Sequence, residues 1–181
     1  MNTNMEIEYK VLLTKEQFNI LCSNQDTLHF IRQINTYYDT VDFQIRKQKG
    51  SMRIREKQGK FLFTLKLHVN GGLMEYEKEV DRNDVSVFKD CEISSLLSQF
   101  HLTDNIQLIT SLTTDRAVVD TGNAELCFDH NFYNGKEDYE IEYEYKMDHD
   151  GLSAFQKILD PLQITYIKNC TSKSKRAISS I

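Results

Sequence analysis

The sequence predicts an α+β fold, mainly β, with about eight mostly antiparallel strands and flanking helices. Three observations predict it. Segments 60–69 and 138–147 alternate apolar and polar residues along their whole length, the two-residue period of a strand whose faces meet different surroundings. Tight glycine-bearing links, Gln58-Gly59, Asn70-Gly71-Gly72 and Asn134-Gly135, join such segments and suit hairpins rather than crossovers. Tyr, Phe, Ile and Val are plentiful, with one Pro and no Trp, a composition that favours strands.

At 181 residues the chain is expected to form one domain, 1–181, with a sizeable core. A formal charge of −5 argues against nucleic-acid binding driven by net charge. It leaves room for a small anionic ligand, because a local basic cluster can outvote the total. Cys22, Cys91, Cys127 and Cys170 are scattered without CxxC or Cys/His spacing and read as reduced, small hydrophobes. No secretion signal and no apolar run of about 18 residues is visible, so a cytoplasmic protein without a membrane partner is expected.

In chain order, Glu6-Ile7-Glu8-Tyr9-Lys10 reads as a first strand with Glu6, Glu8 and Lys10 on one face. Thr14 to Gln17 is a capping box that opens a helix running to about Ser23 on the stripe Phe18, Leu21, Cys22. A strand over 29–38 leads into Tyr37-Tyr38-Asp39-Thr40, then a helical turn over 41–49, with Phe43 and Ile45 as contacts, that Gly50 can close. Strand 51–57 puts Arg53, Arg55 and Lys57 on one face; strand 60–69 puts Phe61, Phe63, Leu65 and Leu67 opposite Thr64 and Lys66. Strand 73–80 carries Glu75, Glu77 and Glu79 together. Asp81 is a candidate cap for a helix through Phe88, with a second helix over 93–100. Segment 106–120, with Arg116, holds one long strand or two. Strand 124–133 has Asp129 among apolar neighbours, and strand 138–147 sets Glu140, Glu142, Glu144 and Lys146 against Tyr139, Ile141, Tyr143 and Tyr145. An amphipathic helix over 151–159 stops before Pro161, and a tail helix follows Thr171.

The charged faces admit two readings. In an open sheet they meet water; in a closed barrel they point inward, and the apolar faces pack outward against helices. An inward charged face is too costly unless the charges, or a ligand, compensate them. The signs segregate by strand: Arg53, Arg55 and Lys66 against Glu75, Glu77, Glu140 and Glu142. Arginine forks match phosphate oxygens, and gathered carboxylates hold a hard dication such as Mg²⁺ beside substrate phosphates. A phosphate chain with a divalent cation accounts for both signs. For Asp129 the alternative is a salt bridge to Arg116.

These residues, taken in order, resemble the triphosphate tunnel metalloenzymes, or CYTH superfamily, along essentially the whole chain. The resemblance rests on ExExK at Glu6, Glu8 and Lys10, YYDT at 37–40, RxR at Arg53 and Arg55, and Thr64-Leu65-Lys66. It continues through ExE at Glu75 and Glu77, Arg116, Asp129, a second ExE at Glu140 and Glu142, and the tail Lys173 and Arg176. It implies a closed antiparallel eight-stranded tunnel that binds triphosphate compounds with Mg²⁺ or Mn²⁺. By that resemblance Glu6, Glu8, Asp129, Glu140 and Glu142 serve the metal. Lys10, Arg53, Arg55, Lys66, Arg116, Lys173 and Arg176 hold phosphate, with Glu75 and Glu77 beside the substrate. Tyr37 and Lys66 act together near the scissile phosphate, alongside Glu6 and Glu8. Two departures leave choices open: Glu79 extends the ExE face, and Lys175 competes with Lys173. The implied activity is a metal-dependent triphosphatase acting on tripolyphosphate, thiamine triphosphate or ATP. A nucleotidyl cyclase and a non-enzymatic polyphosphate- or nucleotide-binding module are the alternatives. Monomer and homodimer both remain open.

Overall fold

The structure is a computed structural model that describes residues 1–69, 72–102 and 105–181. The expected Asn70-Gly71 turn falls outside these residues. The fold is mainly β with antiparallel pairing and flanking helices, and the chain forms two compact units. The first comprises 1–6, 33–112 and 173–181; the second comprises 7–32 and 113–172.

The described strands number nine, not the expected eight. The difference lies at the N-terminus, where the strand predicted over 6–10 begins only at Glu8, as β2 (Glu8–Leu13), and an unpredicted strand, β1 (Asn2–Met5), precedes it. Glu6 stays with the first unit, its N–H bonded to the Leu73 carbonyl at 3.2 Å. Ile7 opens the second, its carbonyl accepting from Tyr145 N–H at 3.0 Å. Residues 2–5, Asn-Thr-Asn-Met, carry no apolar–polar alternation that would announce a strand.

In the first unit β1, β6 (Gly72–Val80), β5 (Lys60–Val69), β4 (Ser51–Lys57) and β3 (Ile31–Thr40) lie side by side in that order. Register sorts their side chains into two faces. Tyr38, Met52, Leu65 and Tyr76 share one row, and Ile54 lies opposite Phe63. That face forms a core with Ile45, Val87, Phe88, Ile93, Leu96 and Leu97. The last three belong to α3 (Cys91–Gln99), whose N-terminal N–H groups at Glu92 and Ile93 are capped by the Asp90 carboxylate. The preceding 3₁₀ turn (Val85–Lys89) is capped by Asp84 rather than Asp81. Asp81 instead pairs with its neighbour Arg82 in the solvent.

In the second unit β8 (Ala124–Tyr133) pairs with the second half of β7 (Ile106–Asp120) and with β9 (Lys136–Tyr145), and β2 closes on β9. Its apolar face carries Ala117, Leu126, Phe128, Tyr139, Ile141 and Tyr143 against α1 (Lys15–Ser23) and α4 (Gly151–Leu159). The capping box forms as expected: Gln17 N–H donates to Thr14 Oγ1 at 3.2 Å, and Thr14 N–H donates to Gln17 Oε1 at 2.9 Å. Such a cap stabilises a helix by about 1 kcal/mol. At the β8–β9 hairpin Asn134 and Gly135 take φ of 47° and 74°, the turn whose twist matches the flanking strands.

The helical turn after Thr40 is α2 (Gln44–Lys47). Ile45 is buried and Phe43 is largely exposed, so only one of the two expected contacts enters the core. Lys49 takes the left-handed conformation at φ 57°, and Gly50 N–H bonds to the Ile45 carbonyl at 2.9 Å. Gly50 is needed for close approach. A Cβ there would lie 2.5 Å from both the Lys66 carbonyl and Leu67 Cδ2. Gly50→Ala is therefore expected to cost about 1–3 kcal/mol in urea denaturation, the usual range for overpacking.

Candidate functional site

The remaining face of the first unit carries charge. Across the ladders Tyr37, Arg53, Thr64 and Glu77 form one row, and Ser51, Lys66 and Glu75 the next. Lys66 Nζ lies 2.5 Å from both Glu6 carboxylate oxygens and 3.2 Å from Glu75 Oε1. Arg55 donates from Nε to Asn35 Oδ1 at 2.9 Å. Arg53 is different. Glu75 Oε1 stands 3.9 Å from Nη2, and among the described residues its buried Nε has no hydrogen-bond partner. A buried guanidinium nitrogen without an acceptor costs more than most single hydrogen bonds return. Tyr37, buried and directly opposite Arg53, completes the row.

Register also separates the three glutamates of β6. Glu75 faces Lys66; Glu77 faces Thr64, whose hydroxyl reaches its carboxylate at 3.3 Å; Glu79 faces Leu62 and is exposed. Glu75 and Glu77 are therefore the pair within the cluster. At the tail α5 (Lys173–Ile178) buries Lys173 and leaves Lys175 exposed, which favours Lys173 of the two candidates.

The second unit has a cluster of its own. Arg116, Asp129 and Glu140 occupy one row, with Lys10 opposite Glu142 in the next. The Arg116 guanidinium forks onto Asp129 through Nε and Nη2, at 2.7 and 2.6 Å, and also donates to Glu142. Burial works against the charge on Arg116, but Asp129 and Glu142 outweigh it and hold its pKa well above the usual arginine value. The salt bridge weighed for Asp129 is thus present, with both of its oxygens engaged. Lys10 Nζ bonds Glu8 and stands 4.0 Å from Glu142. Glu140 is fully buried.

Cys127 lies between Val118 and Glu142 on this charged face. Burial pushes its thiol up to about 12, so it carries almost no thiolate at neutral pH. In the native protein a thiol reagent at pH 7–8 is expected to modify the exposed Cys91 first and Cys127 only on unfolding. Mass mapping of the labelled peptides reads this directly.

Glu6, Arg53, Lys66, Glu75 and Glu77 come together within the first unit. Glu8, Lys10, Arg116, Asp129, Glu140 and Glu142 do so in the second. Sequence reasoning missed Asn35 as the partner of Arg55. Its only signal was phase: it lies two residues before Tyr37, hence on the charged face of β3. Among the described residues no three His, Cys, Asp or Glu side chains form a metal-ligand group. The donors named for a cation are all carboxylates, a set whose chemistry suits a hard dication. Glu6, Glu8, Asp129 and Glu142 each already have a Lys or Arg against them, so a cation entering there competes with protein charge.

Comparison with known proteins extends the reading. The CYTH domain family model matches residues 4–177. A curated Bacillus subtilis (strain 168) protein, "Putative triphosphatase YjbK", is 38% identical over 170 residues, covering 91% of this chain and 90% of its own. A crystal structure of a Bacillus halodurans protein described as a "putative adenylate cyclase" is 32% identical, with a TM-score of 0.85 over 97% of this chain and 98% of that one. The Hippeastrum protein HpAC1, described with a dominant triphosphatase activity, superposes with a TM-score of 0.74 at 20% identity, over 97% and 96% of the two chains. That last likeness speaks for the fold. With both charged faces matching the ordered motifs and the family model spanning both units, the chain belongs to the CYTH domain family.

Proposed function

We propose that the protein is a metal-dependent triphosphatase, with inorganic tripolyphosphate its leading substrate and Mg²⁺ or Mn²⁺ its cofactor. The observation that carries this is Arg53, whose buried Nε has no acceptor among the described residues and whose fork suits a phosphate oxygen. The similarity to a B. subtilis protein named a triphosphatase supports it.

Phosphoryl transfer asks a protein mainly to position the chain and to neutralise charge. In this reading Arg53, Arg55, Lys66, Lys173 and Arg176 of the first unit hold phosphate oxygens, as Lys10 and Arg116 do in the second. Lys66 leaves its Glu6 and Glu75 partners in part to meet the substrate, and Tyr37 fixes the scissile group beside it. The carboxylates that would serve the metal are Glu6 in the first unit and Glu8, Asp129, Glu140 and Glu142 in the second. When bound, the metal supplies charge neutralisation and lowers the pKa of water.

Hydrolysis needs the phosphate chain and a positioned water. A cyclase must also fix the ribose so that its 3′-oxygen attacks the α-phosphate, which calls for a shaped base pocket. No stretch of this sequence advertises one. The test is product analysis of tripolyphosphate, ATP and thiamine triphosphate with Mg²⁺ and Mn²⁺ by phosphorus NMR. Orthophosphate released from tripolyphosphate is expected. Pyrophosphate with cyclic AMP as the main products from ATP, with tripolyphosphate intact, would overturn the proposal in favour of the cyclase.

A further inference from the structure

We propose that Asp39, the acidic residue of the Tyr-Tyr-Asp-Thr stretch, is a positioning residue for Lys66 that acts through the α2 turn. Its catalytic consequence rests on the triphosphatase reading; its structural part does not.

The argument begins with what Asp39 holds. It lies at the end of β3, 3% exposed, a burial an aspartate accepts only when its oxygens are well used. Oδ1 accepts from Thr40 N–H at 2.8 Å and Ile45 N–H at 3.0 Å; Oδ2 accepts from Arg46 N–H at 3.2 Å. Two of these donors are first-turn amides of α2, a helix entered through a left-handed Phe43 (φ 61°) that offers no side-chain cap. Asp39 supplies the missing cap from the neighbouring strand. Thr40 reinforces it, its hydroxyl accepting from Gln44 N–H at 2.8 Å.

The other end of α2 meets the site. Ile45, whose N–H Asp39 holds, gives its carbonyl to Gly50 N–H, and its Cγ2 would lie 3.3 Å from a Cβ on Gly50. Gly50 in turn abuts the Lys66 carbonyl with no room for a side chain. The next residue, Ser51, is the ladder partner of Lys66. The path from Asp39 to Lys66 is therefore short, and every link in it is a hydrogen bond or a close contact. Interiors packed this closely transmit a shift rather than absorb it. A loosened turn moves the Lys66 backbone, and with it the ammonium that now bridges Glu6 and Glu75.

The experiment compares Asp39→Asn and the milder Thr40→Val with a control, Asn83→Ala. The side chain of Asn83 ties Tyr38 to Thr36 on β3, and neither of these hydrogen bonds is to α2 or Gly50. Two quantities are read on the full chain: the Lys66 Nζ signal in ¹⁵N NMR, and kcat and KM for tripolyphosphate hydrolysis with Mg²⁺. The Asp39 and Thr40 variants are expected to displace or broaden the Lys66 signal. They should also lower kcat by roughly tenfold to a hundredfold, with KM within about twofold. Asn83→Ala should lower Tm while leaving the Lys66 signal in place. Thr40→Val keeps the test decisive if Asp39→Asn does not fold. The proposal is overturned if the turn variants lower Tm alone and leave the Lys66 signal where it is in the wild type. If the wild type does not cleave tripolyphosphate, the NMR arm still decides the positioning claim.

Discussion

Arg116→Met is expected to destabilise the protein by about 3–5 kcal/mol, the cost of breaking a buried ion pair from one side. The Asp129 carboxylate is wholly buried, and Arg116 occupies both of its oxygens. Removing the guanidinium leaves that charge, and the Glu142 charge it also meets, inside without the cation that now bridges them. The loss appears in urea denaturation as a lower midpoint at unchanged slope. Adding Asp129→Leu to Arg116→Met is expected to return much of the lost stability, because a buried carboxylate whose fork to Arg116 is gone goes with it. If the single variant unfolds within about 1 kcal/mol of wild type, Arg116 is not the internal counterion described above.

Arg53→Ala is expected to do the opposite. Among the described residues its Nε has no hydrogen bond to lose and its ion-pair contact, to Glu75, is 3.9 Å long, so stability should hold or rise slightly. Function should suffer instead. Loss of a charged hydrogen bond to phosphate is worth about 1.5–3 kcal/mol, roughly ten- to a hundredfold in KM for tripolyphosphate. Arg53→Lys should be impaired too, since an ammonium cannot reproduce the two-pronged contact. Wild-type KM in both variants would remove Arg53 from the phosphate set. The two arginines thus form a paired test: one whose Nε and Nη2 already meet carboxylates, and one whose Nε meets no acceptor among the described residues.

Which face each residue occupies was legible in the sequence; which neighbour it meets was not, apart from the Arg116–Asp129 pair weighed as one alternative. The phase of Arg53, Lys66, Glu75, Arg116 and Glu142 follows from a period of two and held in every strand. Register does not follow from phase. That is why Glu75 could not be separated from Glu79 until Lys66 was seen opposite the first and Leu62 opposite the second. β1 escaped because Asn2 to Met5 is polar and exposed and shows no two-residue period. The 3₁₀ turn was assigned to the wrong aspartate because Asp81 and Asp84 both precede it, and only backbone geometry selects Asp84. The capping box at Thr14 and the Asn134-Gly135 turn were legible because their chemistry is local.

The connectivity of the second unit also sets an order of assembly. β7, β8 and β9 follow one another through short turns, so their pairings close small loops and carry little entropic cost. β2 pairs with β9 across most of the chain, Lys10 meeting Glu142, a contact of the kind that slows folding and forms late. Pulsed hydrogen exchange during refolding is expected to protect β8–β9 amides before those of β2. On that schedule Arg116 and Asp129 meet early, while Glu8 and Lys10 arrive last, on a surface where Arg116 already offsets part of the negative charge. The strand that brings another carboxylate is added only after the repulsion opposing it has been reduced.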